Sequence, residues 1–112
     1  MRWFWIDQFT EFISGTSSVA IKTVSLSEGY LHDHIPGFPY MSGALIIEGF
    51  AQSGGLLVGE ASGFQERVVL AKVARAEFHD IARPGDTFVL KTQVEDIRPT
   101  GGIISGSCHI GE

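Results

Sequence analysis

The feature that most constrains the fold is the stretch from Gly43 to about Glu60, which is apolar on nearly all sides. It is too long for one strand, and Ser42 just before it is a residue type that caps helix N-termini, so the pattern predicts a helix here. A helix that is apolar nearly all round belongs inside a fold. Its recurrent glycines each weaken an isolated helix by about 1 kcal/mol relative to alanine, so close packing on a sheet or partner helix must compensate.

Strands account for most of the remaining chain. Segments rich in β-branched and aromatic residues, separated by short turns, predict antiparallel neighbours. The predicted strands are Trp3 to Ile13, Val19 to Leu26, Arg67 to Phe78, Thr87 to Ile97 and Ile103 to Ile110, and the predicted turns lie at residues 14–18, 84–86 and 99–102. One buried helix on an antiparallel sheet gives an α+β fold. A chain of 112 residues can build one core but not two, so residues 1–112 are predicted to form a single domain.

Composition and charge narrow the function classes. The net charge of −5, with no cluster of Lys and Arg, argues against nucleic acid as a partner. The lone Cys108 excludes an intrachain disulfide and favours a reducing, cytoplasmic setting, where its plain role is a small core side chain. We find neither a secretory leader nor an apolar stretch of about twenty residues, so no membrane span is expected.

A histidine and a carboxylic acid lie on either side of the predicted start of the helix. His34 precedes a loop stiffened by two prolines, and Glu48 lies inside the apolar run with apolar neighbours on three sides. Most loop histidines and isolated glutamates have structural or solvated roles. Burying an unpaired carboxylate is costly, however, and such a group usually stays protonated, which suits a proton donor. The pair therefore predicts acid–base catalysis.

Residues 34–43, HIPGFPYMSG, together with Glu48 on the following helix, resemble a known family signature. In the FabZ-type 3-hydroxyacyl-acyl-carrier-protein dehydratases a histidine is followed by Phe-Pro-Gly-Phe-Pro-x-Met-Pro-Gly and then by a helix that carries a glutamate. Weaker similarity covers almost the whole chain, including the turn at residues 83–86. The resemblance implies the hotdog fold, in which a curled antiparallel sheet wraps one long central helix, in agreement with the α+β pattern.

The resemblance also implies the chemistry. Such an enzyme dehydrates (3R)-hydroxyacyl thioesters, carried by acyl carrier protein or CoA, to trans-2-enoyl thioesters in fatty-acid or related biosynthesis, with no cofactor and no metal. His34 would remove the α-proton, and Glu48 would protonate the departing hydroxyl. The backbone N–H of Gly43, at the helix start, would stabilise the thioester oxygen, and glycine would let the substrate approach closely. A homodimer, or a trimer of dimers, is implied, with the histidine of one protomer meeting the glutamate of the other.

Supporting roles are predicted for four further residues. Gln52 lies one turn beyond Glu48 on the same helix face and could orient its carboxyl group, with an ordinary polar interface contact as the alternative. Phe38, Tyr40 and Met41 could line an acyl tunnel, with plain core packing as the alternative.

The chain departs from the family pattern in three places. Ser42 stands where proline is usual, which supplies a cap but leaves the loop less rigid. Family members are often basic just before the Pro-Gly-Asp turn, whereas Glu77, His79 and Asp80 stand here, which weakens the expectation of carrier-protein docking. The sequence ends at residues 111–112, where the family normally enters a final strand, so a C-terminal edge strand is expected to be missing. Candidate contacts for an acidic carrier remain, with a solvated surface as the alternative for each: Arg67, Lys72, Arg75 and Arg83.

Three competing functions stay open. Another hotdog enzyme could hydrolyse acyl-CoA thioesters, recruiting Asp33 or Glu48, or hydrate enoyl-CoA. A non-catalytic acyl-thioester-binding module would keep the tunnel but needs neither the histidine nor the acid. A zinc site could form at His32-x-His34 with His79 or His109, although His-x-His pairs are common by chance.

Overall fold

The computed structural model of the protein describes residues 5–26, 31, 37, 41–61, 73, 76–79, 81–98 and 101–110. In chain order its elements are β1 (Gln8–Ile13), β2 (Ser17–Thr23), α1 (Gly43–Ala61), β3 (Thr87–Arg98) and β4 (Gly101–Ile110). The strands form one antiparallel sheet in the order β1-β2-β3-β4, which curls along the helix without closing. This is the α+β hotdog architecture that the sequence predicts.

The helix begins where its cap predicts. The N–H of Ala44 donates to Oγ of Ser42 over 3.3 Å. The carbonyl oxygen of Ser42 accepts the N–H groups of Leu45 and Ile46 at 3.0 and 3.3 Å. A serine in this position satisfies N–H groups that have no partner within the helix, so the Ser42 cap is confirmed and α1 runs for 19 residues from Gly43.

The core lies between α1 and the middle of the sheet. Alternate residues of β2 are buried, as expected when one face of a strand meets the core. Three alternate residue pairs between β2 and β3 are buried on this face of the sheet: Ser18–Thr92, Ala20–Leu90 and Lys22–Phe88. The buried hydrophobic cluster consists of Trp5, Ala20, Val24, Leu31, Met41, Ala82, Phe88 and Leu90.

Glycines allow the helix to approach the sheet closely. A methyl group added at Gly49 would lie 3.2 Å from Cδ1 of Leu90 on β3. A methyl group at Gly54 would overlap Cδ1 of Ile104 on β4 and lie 3.2 Å from its Cγ1 and Cγ2. The close packing expected from the glycine content is confirmed at these two positions.

The predicted turn at residues 83–86 is confirmed, and it connects the segment beside the start of α1 with β3. Gly85 has φ of 95°, which glycine adopts without strain and which the third position of a type II turn requires. The N–H of Asp86 donates to the carbonyl of Arg83, and the N–H of Arg83 donates to Oδ2 of Asp86, both over 2.9 Å. Just before the turn, the carbonyl of Ala82 accepts the N–H of Met41 at 2.7 Å, so this segment lies beside the start of α1.

The first two predicted strands have different limits in the structure. The first begins at Gln8 rather than Trp3, because Trp5 leaves the sheet edge and is buried in the core. The second ends at Thr23 rather than Leu26, because the backbone of the next residue, Val24, pairs with the turn at residues 83–86.

The predicted strand from Arg67 to Phe78 is wrong for its described residues. Val73 and residues 76–78 are exposed and outside any strand, and the rest of that range lies outside the described residues. The physical reason is local, since the ring of Phe78 packs on the start of α1 and none of the four described strands pairs with residues 76–78.

The helix is more completely covered on one side than on the other. Gly49, Ser53 and Leu57 are buried, whereas Leu56 is 42% exposed and most other residues of α1 are half-buried. Helix α1 is therefore less enclosed than expected, because the four described strands do not close and leave part of its far side accessible. In the described ranges, no helix is both long and apolar enough to cross a lipid bilayer.

Candidate active site

The structure describes four of the predicted site residues, all at or near the N-terminal half of α1. These are Met41, Gly43, Glu48 and Gln52. The proposed base His34 and the tunnel candidates Phe38 and Tyr40 lie outside the described residues, so their roles stay predictions. The same holds for His32, Asp33, Arg67, Lys72 and Arg75.

Glu48 lies in the second turn of α1 and is half-buried. The carboxyl group forms no hydrogen bond or ion pair within the described part of the chain. Sequence reasoning expected full burial, and the uncovered side of the helix explains the difference. A half-buried carboxyl group stays accessible to a reacting group.

Gly43 is the first residue of α1, so its N–H has no acceptor within the helix. Among the described residues no other group accepts this N–H. The first turn contains no acidic side chain that would offset the positive end of the helix dipole. The amide is therefore suited to stabilise negative charge on an incoming oxygen atom.

The ring of Phe78 lies against Gly43. A methyl group added at Gly43 would come within 2.7 Å of Cε1 and 2.8 Å of Cζ of this ring. The ring itself is half-exposed, since Phe78 keeps 53% of its surface accessible. Sequence reasoning missed this neighbour. The available signal was an apolar residue between Glu77 and His79, in a charged segment just before a turn.

Gln52 links α1 to the N-terminal segment. Its Oε1 accepts the backbone N–H of the buried Trp5 at 2.9 Å. This bond fixes the side chain one turn beyond Glu48 on the same helix face. The orienting role remains a prediction, and sequence reasoning did not foresee the anchor at Trp5.

Met41 is fully buried in the hydrophobic cluster, as the plain-core alternative expects. Tunnel lining by this residue stays a prediction. Of the two described histidines that were weighed for zinc, His79 is exposed and lies 3.6 Å from a carboxylate oxygen of Glu77, and His109 is exposed on β4. Over the described ranges no three His, Cys, Asp or Glu side chains gather in a geometry that could hold a metal ion.

Comparison with known proteins decides the family. The family model described as FabA-like domain matches residues 4–109. A 3-hydroxyacyl-[acyl-carrier-protein] dehydratase FabZ of Koribacter versatilis is 36% identical over 109 residues, which are 96% of this chain and 70% of that protein. The FabZ proteins of Lactiplantibacillus plantarum and Pelotomaculum thermopropionicum are 33% and 32% identical over 108 residues, 96% of this chain and 74% and 77% of theirs. The chain belongs to the FabZ family.

Membership confirms the resemblance that the motif at residues 34–43 predicted. The family match spans every strand of the sheet and all of α1, apart from Ile110 at the end of β4. In this FabZ-family protein the described part of the site is thus a capped helix start with a free amide, a half-buried acid one turn on, and a phenyl ring beside the amide.

Proposed function

We propose that the protein is a hydro-lyase that dehydrates (3R)-hydroxyacyl thioesters to trans-2-enoyl thioesters in fatty-acid biosynthesis. The observation that carries the proposal is its membership in the FabZ family over residues 4–109, with relatives named 3-hydroxyacyl-[acyl-carrier-protein] dehydratase. The motif residues support it, because this reaction needs a base, an acid and a donor for the thioester oxygen.

The reaction balances with three groups of the chain. His34 takes a proton from the α-carbon, and the electrons of that C–H bond move to the thioester oxygen, where the N–H of Gly43 stabilises the charge. When the carbonyl re-forms, the electrons make the α–β double bond and the bond from the β-carbon to its hydroxyl breaks. Glu48 gives its proton to that hydroxyl, which leaves as water. Transfer of the proton from His34 back to Glu48, through solvent, completes the cycle.

Glu48 is supported as the acid by its surroundings. It lies on a helix among apolar residues, and its carboxyl group has no hydrogen-bond or ion-pair partner within the described chain, so it is open to a substrate hydroxyl. Gln52 is proposed to orient it, because Gln52 is one turn away on the same face and is already held by the N–H of Trp5. Met41, together with Phe38 and Tyr40, is proposed to form the apolar channel for the acyl chain.

Two protomers are proposed to share each site, with His34 of one and Glu48 of the other. The uncovered side of α1 supports this arrangement, because its apolar residues, Leu56 among them, are left half-buried or exposed by the single chain. The assembly is proposed to be a homodimer or a trimer of such dimers.

The remaining proposals concern carrier, compartment and domain organisation. Acyl carrier protein is the proposed carrier, since the relatives' names specify it, and the exposed Arg83 is a candidate contact for its acidic surface. A cytoplasmic setting is proposed from the single Cys108. A single hotdog domain is proposed because the family match spans nearly the whole chain.

The test is the ultraviolet absorbance of the conjugated enoyl thioester, formed from a 3-hydroxyacyl thioester on acyl carrier protein and on CoA. Wild-type protein should form it, and His34→Ala and Glu48→Gln should each lower kcat by about 10²–10⁴. Glu60→Gln is the matched control, because this acid lies on the same helix but is hydrogen-bonded to the hydroxyl of Ser14, roughly 18 Å along the axis from Glu48. Release of free thiol instead of enoyl product would identify a thioesterase and refute the proposal.

The shared site is tested by mixing. His34→Ala and Glu48→Gln proteins should each be nearly inactive alone, but exchange of protomers between the two would restore some sites with both groups intact. Recovery of activity on mixing supports the proposal. No recovery, with protomer exchange verified by mass, would show that each site lies within one chain.

A further inference from the structure

The contact between Gly43 and Phe78 joins the proposed oxyanion donor to a residue that the mechanism does not use. A Cβ at position 43 would lie 2.7 and 2.8 Å from Cε1 and Cζ of the ring, distances that a real Cβ essentially never has, and 3.2 Å from Cδ1. The ring therefore occupies the space that a side chain at this position would need.

The backbone holds the ring there. Met41 and Ala82 form an antiparallel bridge, with the N–H of Met41 donating to Ala82 over 2.7 Å. The turn at residues 83–86 then leads into β3, whose first residues pair with β2. The residues that follow Phe78 in the chain therefore hold its segment beside residues 41–43. From there the ring reaches Gly43, the first residue of α1.

We propose that Phe78 is a positioning residue for the amide of Gly43, a proposal that rests on the function proposed above. The ring covers the Cα side of Gly43 and keeps water from one side of its N–H. A donor in a drier environment interacts more strongly with developing charge than one in water. Glycine is needed at position 43 to admit the ring, rather than to admit the substrate.

The two reasons for glycine make different predictions. If the substrate needs the space, Gly43→Ala should cost the same factor in activity whether or not the ring is present. If the ring needs the space, Gly43→Ala displaces it, which a half-exposed side chain tolerates without unfolding of the protein. Gly43→Ala should then lower the activity only slightly in a protein that already lacks the ring.

The experiment is a double-mutant cycle in the dehydration assay with Gly43→Ala, Phe78→Ala and the double variant. We expect each single change to lower kcat roughly tenfold, less than loss of a whole oxyanion donor, with KM little changed. The double variant should match Phe78→Ala within about twofold, and Phe78→Leu, which keeps an apolar cover, should recover most of the loss. The proposal would be overturned if Gly43→Ala lowered kcat by the same factor in wild type and in Phe78→Ala protein. An unchanged kcat in Phe78→Ala would overturn it as well.

A second readout does not depend on turnover. The amide hydrogen of Gly43, followed by NMR, should exchange with solvent about tenfold faster in Phe78→Ala, because the ring no longer excludes water. Phe12→Ala is the control, since Phe12 is a similarly exposed ring on β1 that packs on Phe9 and should leave this amide unchanged. Unchanged exchange in Phe78→Ala refutes the shielding. Absence of turnover by wild-type protein instead refutes the proposed function, and exchange then still decides whether the ring shields the amide.

Discussion

Replacing Gly54 with alanine tests how closely α1 packs on β4. The added methyl group would overlap Cδ1 of Ile104 and lie 3.2 Å from its Cγ1 and Cγ2. Alanine stabilises a helix interior by about 1 kcal/mol relative to glycine. Forcing a methyl group into filled space costs about 1–3 kcal/mol. The second effect should win, so we expect a net loss of up to about 2 kcal/mol in the free energy of unfolding.

The assay is denaturant unfolding followed by tryptophan fluorescence, at one protein concentration for all variants. Ile104→Val removes the overlapping Cδ1, so in that background Gly54→Ala should be neutral or stabilising by up to about 1 kcal/mol. Gly101→Ala is the control, because no atom lies within 4 Å of a methyl group there. A Gly54→Ala protein about 1 kcal/mol more stable than wild type, as helix propensity alone predicts, would refute the close packing.

Three further predictions concern the interior. Gln52→Leu should destabilise the protein by about 1–3 kcal/mol, because the backbone N–H of the buried Trp5 loses the acceptor that Gln52 provides. Gln52→Glu keeps an acceptor oxygen and should lose less stability in the same unfolding assay. Equal losses of stability in the two variants would contradict the hydrogen bond between Gln52 and Trp5. Thr92→Val should stabilise by about 1 kcal/mol, since the buried hydroxyl has no hydrogen-bond partner in the described part of the chain, and a destabilised variant would contradict this. Burial raises the pKa of Cys108 to about 11, so the folded thiol should resist alkylation at pH 9 while the denatured protein reacts. The free energy of unfolding should also fall between about pH 9 and pH 11, more in wild type than in Cys108→Ala, because the thiol ionises more readily in the unfolded chain. Rapid alkylation of the folded protein at pH 9 would exclude the shift.

The parts of the fold that depend on local pattern could be predicted from the sequence. The cap at Ser42 and the apolar run after it define α1 through neighbouring residues alone, and the Pro-Gly pair defines the turn before β3. The family motif likewise identified Gly43 and Glu48 as candidates. Each of these features is carried by residue types at fixed short spacing.

Contacts between distant residues could not be predicted in the same way. The burial of Trp5 depends on an acceptor that Gln52 supplies from 47 residues away. The buried Lys22 breaks the apolar alternation of β2, because its ammonium group donates to the carbonyl of Thr23 at 3.1 Å and lies 3.4 Å from the carboxylate of Asp7. The segment at Phe78 has strand-like composition but packs its ring on a helix, which no pattern within the segment reveals.

We propose that the chain dehydrates 3-hydroxyacyl thioesters and that Glu48 supplies the proton. The most direct measurement is the rate of enoyl thioester formation from a (3R)-hydroxyacyl carrier-protein substrate by wild type and by folded Glu48→Gln protein. We expect conjugated product from the wild type and a rate about 10²–10⁴ lower for the variant. Equal rates for the two proteins, or no enoyl product from the wild type, would contradict the claim.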